Sequence, residues 1–209
     1  MSRIFLIRHG ETKANSELRY QGQIDTPLNK TGLKQAEQLS RQFKKIALKK
    51  IYTSNLQRAI KTAEILAKYQ AAKIIQLPKL RERDFGAWEN LTFQDIQNKY
   101  LKTYLQWQKN PDANIPHAEN FTKFQNRVIA GLKKILRALK EKEDIAIVAH
   151  GGPNRIILQY FLNSPSPENF WKIKQDNACI NIIEYTKKYQ IVSLLNYHGN
   201  NQSQASIKY

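Results

Sequence analysis

The run "IAIVA" at residues 145–149 most limits the folds open to this 209-residue chain. Five apolar residues without alternation suit a strand buried on both faces, and such a strand needs helices above and below its sheet. "RIFLI" at residues 3–7 reads as a second buried strand, a weaker one ends at "KKIYTS", and another occupies "KIIQL" before Pro78. Helical spacing fills the gaps between them. "LNKTGLKQAEQLSRQFKK" sets Leu33, Ala36, Leu39 and Phe43 on one face behind the cap-competent Asn29 and Thr31, and "NLQRAIKTAEILAKY" does the same with Ala59, Ala63 and Leu66. The long "NFTKFQNRVIAGLKKILRALKEK" carries a core-facing stripe from Phe121, Phe124, Val128, Leu132 and Ile135 to Leu139. Strands alternating with helices predict an α/β fold, a three-layer α/β/α sandwich with a mainly parallel sheet. "ACINIIEY" and "YQIVSLL", joined by a Lys-rich turn, predict an edge hairpin at the C-terminal end, and the polar "NQSQASIKY" is expected to fray.

The length fits one domain spanning residues 1–209. Residues of about 83–119, rich in Trp, Gln, Asn and Tyr and broken by Asn110-Pro111 and Pro116, read as an insertion beside the ligand-binding face. It includes one expected helix, "TFQDIQNKYLKTYLQWQ". No apolar run is long enough to span a membrane, and the apolar start is cut off by Arg8 without a cleavage site. A single cysteine, Cys179, precludes an intramolecular disulfide, and no Cys/His spacing resembles a zinc site. These features lead us to expect a cytoplasmic protein. The net charge of +17 attracts anions of many kinds, but the lysines are scattered over solvated helix faces and loops. No specific nucleic-acid or membrane partner is expected from such a pattern, and oligomeric state is not legible.

Ligands of open α/β sheets bind off the carboxyl ends of the strands. Arg8 and His9 follow the first strand, Arg58 the second, Glu82 the third, and His150 follows "IAIVA" directly, so these side chains are expected to converge. Two guanidinium forks match phosphate oxygens, and two imidazoles beside them can attack phosphorus or donate hydrogen bonds. The expected site is a phosphoryl pocket with neither metal nor cofactor. Gly10, Gly22, Gly151 and Gly152 would let backbone N–H groups approach the anion, and helices starting near residues 55 and 153 would aim their positive ends at it.

"LIRHGET" followed by Asn15, "QGQIDTPLNKTGLKQA", "YTSNLQRAIKTAE", "LRERDFGAWEN" and "VAHGG" together resemble the histidine phosphatase superfamily, also called phosphoglycerate mutase-like, over residues 3–185. "FGAWEN" looks like the "FGxWEG" of alpha-ribazole phosphatases and broad-specificity phosphatases. The resemblance implies that His9 is the nucleophile that becomes phosphorylated and that Glu82 is the general acid. Arg8, Arg58 and His150 would form the cationic ring, with Asn15 and the Gln21-Gly22 pair adding polar contacts and Gly151 lying against the anion. An attacking imidazole must present a bare nitrogen, so a backbone carbonyl is expected to hold the N–H of the other. Glu11, Glu89 and Glu119 are alternative acids, "RERD" could be a surface ion-pair cluster, and Asn15 and Gln21 could brace the loop instead.

Two departures from the family pattern bear on specificity. "HAEN" at His117 to Asn120 replaces the common Gly-Gly-Glu-Ser, with Asn120 still able to cap the next helix, and Asn90 replaces a glycine. His117 and His198 read as exposed loop residues, Cys179 as a small core residue, and Trp88, Trp107 and Trp171 as packing by default. The resulting expectation is a phosphatase acting on small phosphorylated metabolites through phosphohistidine, with alpha-ribazole phosphate as one candidate. A mutase using the same residues, or a non-catalytic anion or nucleic-acid binder, are the alternatives.

Overall fold

The computed structural model describes residues 1–198. The tail sequence "NQSQASIKY" lies outside the described residues. Strand β1 (Ser2–Arg8) is followed by a one-turn helix α1 (Lys13–Ser16), helix α2 (Lys30–Gln42), strand β2 (Leu48–Thr53), helix α3 (Gln57–Leu66) and strand β3 (Lys73–Gln76). Then come α4 (Phe93–Lys109), α5 (Phe121–Ala138), β4 (Asp144–Ala149), α6 (Gly151–Phe161), β5 (Ile180–Tyr185) and β6 (Gln190–Tyr197). One six-stranded sheet has the order β3-β2-β4-β1-β5-β6, with β1, β2, β3 and β4 parallel, β5 antiparallel to β1 and β6 antiparallel to β5. The α/β architecture and the edge hairpin are as the sequence predicts.

Central position explains the two unbroken apolar runs. β4 and β1 are the middle strands, and each feeds both cores: Ile4, Leu6, Ile145 and Ile147 pack under α5 and α6, while Phe5, Ile7, Ala146 and Val148 pack under α2 and α3. Local signals set the helix ends. Asn29 accepts from Gly32 N at 2.8 Å to start α2, and Asn120 accepts from Lys123 N at 3.1 Å to start α5, as expected of a residue standing where serine is common. Two details of the apolar stripes differ: Leu33 is exposed, because it lies on the outer flank of α2, and Leu139 is the C-cap beyond α5.

Residues 83–119 build a separate aromatic cluster, with Trp88, Ile96, Tyr104, Trp107 and Ile115 buried among themselves. Arg83 draws the two ends of the segment together, its Nε donating to Glu119 O at 2.8 Å and its Nη1 to Pro111 O at 2.5 Å. Arg83 is therefore buried backbone scaffolding, which excludes the surface ion-pair reading of "RERD" for it. Asn90 takes the left-handed conformation (φ 63°) that the missing glycine would have taken, and asparagine tolerates that region better than most residues. Its N–H donates to Tyr20 O at 2.7 Å and its carbonyl accepts from Arg19 Nη1 at 2.8 Å, which holds the turn in place. His117 is also left-handed (φ 60°), and the backbone of Pro116 to Ala118 lies against Gly86 so closely that a Cβ on Gly86 would meet it at 2.4 Å. No helix among the described residues is long and apolar enough to cross a membrane.

Candidate active site

A cavity of about 550 Å³ opens at the carboxyl ends of the parallel strands. Arg8, His9, Asn15, Gln21, Gly22, Arg58, Glu82 and Gly151 all line it, and the buried ring of His150 lies beside His9 with ring centroids 5.0 Å apart. Every sequence-predicted site residue is thus brought to one place. Strand geometry does most of this: β1 ends at Arg8 and β4 at Ala149 as parallel neighbours in register, so the residues that follow emerge side by side.

The two imidazoles hold opposite tautomers, and their neighbours dictate which. His9 Nδ1 is 2.7 Å from Gly10 O, which can only accept, so Nδ1 carries the proton and Nε2 is bare. His150 Nδ1 lies 3.2 Å from Arg58 Nε, which can only donate, so Nδ1 is bare and the proton sits on Nε2. That Nε2 is buried without a protein partner, as is Arg8 Nε. Buried donors without partners are costly, and an anionic ligand would satisfy both. Burial, reinforced by Arg58 and Arg8, holds the His9 pKa well below the usual histidine range, and burial with Arg58 and His9 does the same for His150.

These depressed values fix a pH dependence. In the unfolded chain both rings take up protons near pH 6.5, while in the folded protein they stay neutral lower down. The unfolded state therefore binds more protons as pH falls below that point, and stability drops by up to about 1.4 kcal/mol per pH unit for each ring. Chemical denaturation of the ligand-free protein should show the midpoint falling between about pH 6.5 and 5, above the range in which ordinary carboxylates titrate. A level midpoint across that window would mean the rings charge in the fold.

The arginines are held by backbone carbonyls and not neutralised. Arg58 donates from Nη1 to Ile24 O at 2.7 Å and from Nη2 to Gly22 O at 2.8 Å; Arg8 donates from Nη1 to Gln175 O at 2.6 Å. Burial lowers the Arg58 pKa to about 10, which still leaves it charged at neutral pH. Among the described residues Glu82 is the one carboxylate lining the cavity, its oxygens accepting from Gly152 N at 3.1 Å and Arg83 N at 3.0 Å. The other candidate acids face elsewhere: Glu11 accepts from Asn29 Nδ2, Glu89 from Gln23 N and Phe85 N, and Glu119 pairs with Arg127.

Several expectations need correction. The N–H of Gly10 donates to Thr62 Oγ1 at 3.1 Å and that of Gly152 to Glu82, so neither is free for an anion. Gly10 is small because Gly32 packs on it, where a Cβ would meet Gly32 O at 2.5 Å. The first N–H of α3 is capped by Asp25 (Gln57 N to Oδ1, 2.6 Å), which offsets the positive end expected there. Asn15 and Gln21 do brace the loop: Asn15 Oδ1 accepts from Thr12 and Asn177, and Gln21 Oε1 accepts from Thr12 and Thr26. Any contact with an anion must come from their amide nitrogens. His198 is half-buried beside Asp176, Nε2 to Oδ2 3.2 Å. Trp107 and Trp171 line the cavity while Trp88 is fully buried. Burial raises the Cys179 pKa to about 11, so its thiol stays protonated at neutral pH, as suits a core residue.

Two features escaped the sequence reading. Residues 175–179 clamp the loop after β1, with Ala178 N and Asn177 Nδ2 both donating to His9 O. Arg155, four residues after Gly151 and so on the same helical face, also lines the cavity. Among the described residues no group of three or more His, Cys, Asp or Glu is placed to hold a metal ion.

Comparison with known proteins agrees with this geometry. The sequence model described as Histidine phosphatase superfamily (branch 1) matches residues 4–198. The "Uncharacterized phosphatase PhoE" of Bacillus subtilis is 32% identical over 90% of this chain and 91% of its own length. The "Probable phosphoglycerate mutase GpmB" of Proteus mirabilis is 32% identical over 88% of this chain and 86% of its own. The crystal structure of the alpha-ribazole phosphatase from Shigella flexneri superposes with a TM-score of 0.85 at 28% identity, covering 93% of this chain and 96% of that one.

Proposed function

We propose, from the premise that the chain belongs to the histidine phosphatase superfamily and is a phosphatase, that it hydrolyses small phosphomonoesters by way of a phosphohistidine on His9. The observation that carries this reading is the pair of opposed tautomers: a bare His9 Nε2 beside a His150 Nε2–H that has no protein partner. The lone pair of His9 Nε2 attacks phosphorus and the ester oxygen leaves. Negative charge on the three equatorial oxygens is met by Arg8, Arg58 and His150 Nε2–H, all in place before the reaction begins. Glu82 acts as the general acid and gives a proton to the departing alkoxide. The resulting carboxylate then takes a proton from water as that water attacks phosphohistidine, which releases phosphate and returns His9 to its starting state. Asn15, Gln21, Gly22 and Gly151 shape the rim of the phosphoryl position.

The same reading takes residues 1–209 as one phosphatase domain in which residues 83–119 are an insertion beside the site. It needs no metal, since the fixed cations supply the charge that a metal would otherwise supply, and it takes the protein to be cytoplasmic. Alpha-ribazole phosphate is a candidate substrate, by likeness to the alpha-ribazole phosphatase above. Phosphate release from a panel of esters in excess chelator is the test. Wild-type protein should hydrolyse alkyl and aryl esters alike in mechanism, and Glu82→Gln should slow alkyl esters on the order of 10²- to 10⁴-fold but p-nitrophenyl phosphate far less, because that leaving group needs no proton. Isomerisation of 3-phosphoglycerate primed by its bisphosphate without phosphate release would favour a mutase, and loss of activity with chelator would refute the metal-free scheme.

A further inference from the structure

Arg155 is a cation that the phosphoryl mechanism does not use. It sits one turn into α6, its Nε donating to Ile173 O at 2.9 Å and its guanidinium carbon lying 5.5 Å from the ring centres of both Phe170 and Trp171. Those contacts account for Nε and for one face of the fork. Among the described residues neither Nη nitrogen donates a hydrogen bond within the protein, and no carboxylate lies within ion-pairing distance. The contrast with Arg127 is direct, since that residue forms a bidentate pair with Glu119. Arg155 also lies beside another cation. A Cβ on Gly151 would stand 3.2 Å from Arg155 Nη1 and 3.8 Å from Arg8 Nε, so both nitrogens are within one methyl group's contact of the same backbone carbon. Burial and, after it, the nearness of Arg8 lower the Arg155 pKa, and the more distant Glu82 and Asp176 offset this only in part.

Position decides what counterion Arg155 takes. Arg8 belongs to the phosphoryl end of the cavity, whereas Trp171 meets Trp107 of α4, ring centres 4.4 Å apart, in its aromatic part. Arg155 bridges the two, against Trp171 and next to Arg8. Resting on the phosphatase reading above, we propose that Arg155 is a specificity-determining residue that binds a second oxyanion on the alcohol portion of the substrate, a carboxylate or a second phosphate close to the ester. A planar fork with both Nη groups open grips such a group in bidentate fashion. Alpha-ribazole phosphate, whose alcohol is an uncharged nucleoside, lacks this group and is a weaker fit than an anionic phosphoester.

The test compares matched esters on the wild-type protein and on Arg155→Gln and Arg155→Lys. Phosphoglycolate against ethyl phosphate probes the carboxylate, and propane-1,3-diol bisphosphate against propyl phosphate probes the second phosphate. For wild type, kcat/KM should favour the anionic member of at least one pair by about 10- to 100-fold, a charge-assisted contact's worth. That ratio should collapse toward unity in Arg155→Gln, mainly through KM, and recover in part in Arg155→Lys. Which pair shows the preference identifies the group. A wild-type ratio near unity in both pairs, or a ratio that survives Arg155→Gln, overturns the proposal while leaving the phosphatase intact. Absence of phosphate release from every ester, p-nitrophenyl phosphate included, overturns both.

Discussion

Replacing His9 by alanine is expected to lower kcat for every phosphomonoester on the order of 10⁴- to 10⁶-fold, the scale seen when a covalent nucleophile is removed. No neighbouring group can take over. Nδ1 of His150 accepts from Arg58, its Nε2 carries a proton, and the Cys179 thiol is fully buried with its pKa pushed up to about 11. The fold should persist, because the change removes one partner of the Gly10 carbonyl at the cavity wall and leaves both apolar cores intact. A cost of about 1–3 kcal/mol is expected for the unsatisfied carbonyl. Rapid-quench labelling with a ³²P-ester checks the chemistry: the wild type should retain acid-labile, alkali-stable label on His9, and the variant none. Turnover within tenfold of wild type in His9→Ala would remove this residue from the nucleophile's role.

Arg58→Met is expected to lose about 10³- to 10⁴-fold in kcat/KM, or about 4–5.5 kcal/mol of transition-state stabilisation. The loss exceeds that of one phosphate contact because Arg58 does three jobs at once. In the proposed mechanism it faces the phosphoryl group, and in the structure it donates to the carbonyls of Ile24 and Gly22 and holds His150 in the tautomer that presents Nε2–H. Without it, His150 Nδ1 loses its donor and the ring loses its nearest positive charge, so His150 should titrate closer to an ordinary histidine. Imidazole NMR across the pH range would report that shift directly. Two orphaned carbonyls should also lower stability by a few kcal/mol. Lysine should not rescue, since one ammonium cannot reach acceptors spread across a planar fork. A loss below tenfold in Arg58→Met would show that the phosphoryl group is held elsewhere.

Much of the site was legible because the strands are. Unbroken apolar runs mark β1 and β4 as central, and a central parallel strand delivers the residues after it to the ligand face, which is why the sequence alone places Arg8, His9 and His150 together. The cap residues Asn29 and Asn120 were equally readable, since capping is a contact between residues three apart. Glu82 was readable only as a candidate among several carboxylates. What singles it out is where each side chain is held: Glu82 by Gly152 N and Arg83 N at the cavity, Glu11 by Asn29, Glu89 by Gln23 N and Glu119 by Arg127.

By itself the sequence determined the layer order, the helix starts and the set of side chains delivered to the strand ends, because period, cap and strand burial are properties of neighbouring residues. Only the tertiary structure decided which imidazole nitrogen carries the proton, that Gly10 and Gly152 have no N–H to offer, and that Arg155 stands unpaired beside Arg8. The physical reason is that a proton's place and a charge's cost are set by whichever donor, acceptor or counterion lies within about 3 Å. In this fold those partners come from distant segments: Arg58 reaches His150 from another helix, and the 175–179 loop clamps His9 from near the chain's far end.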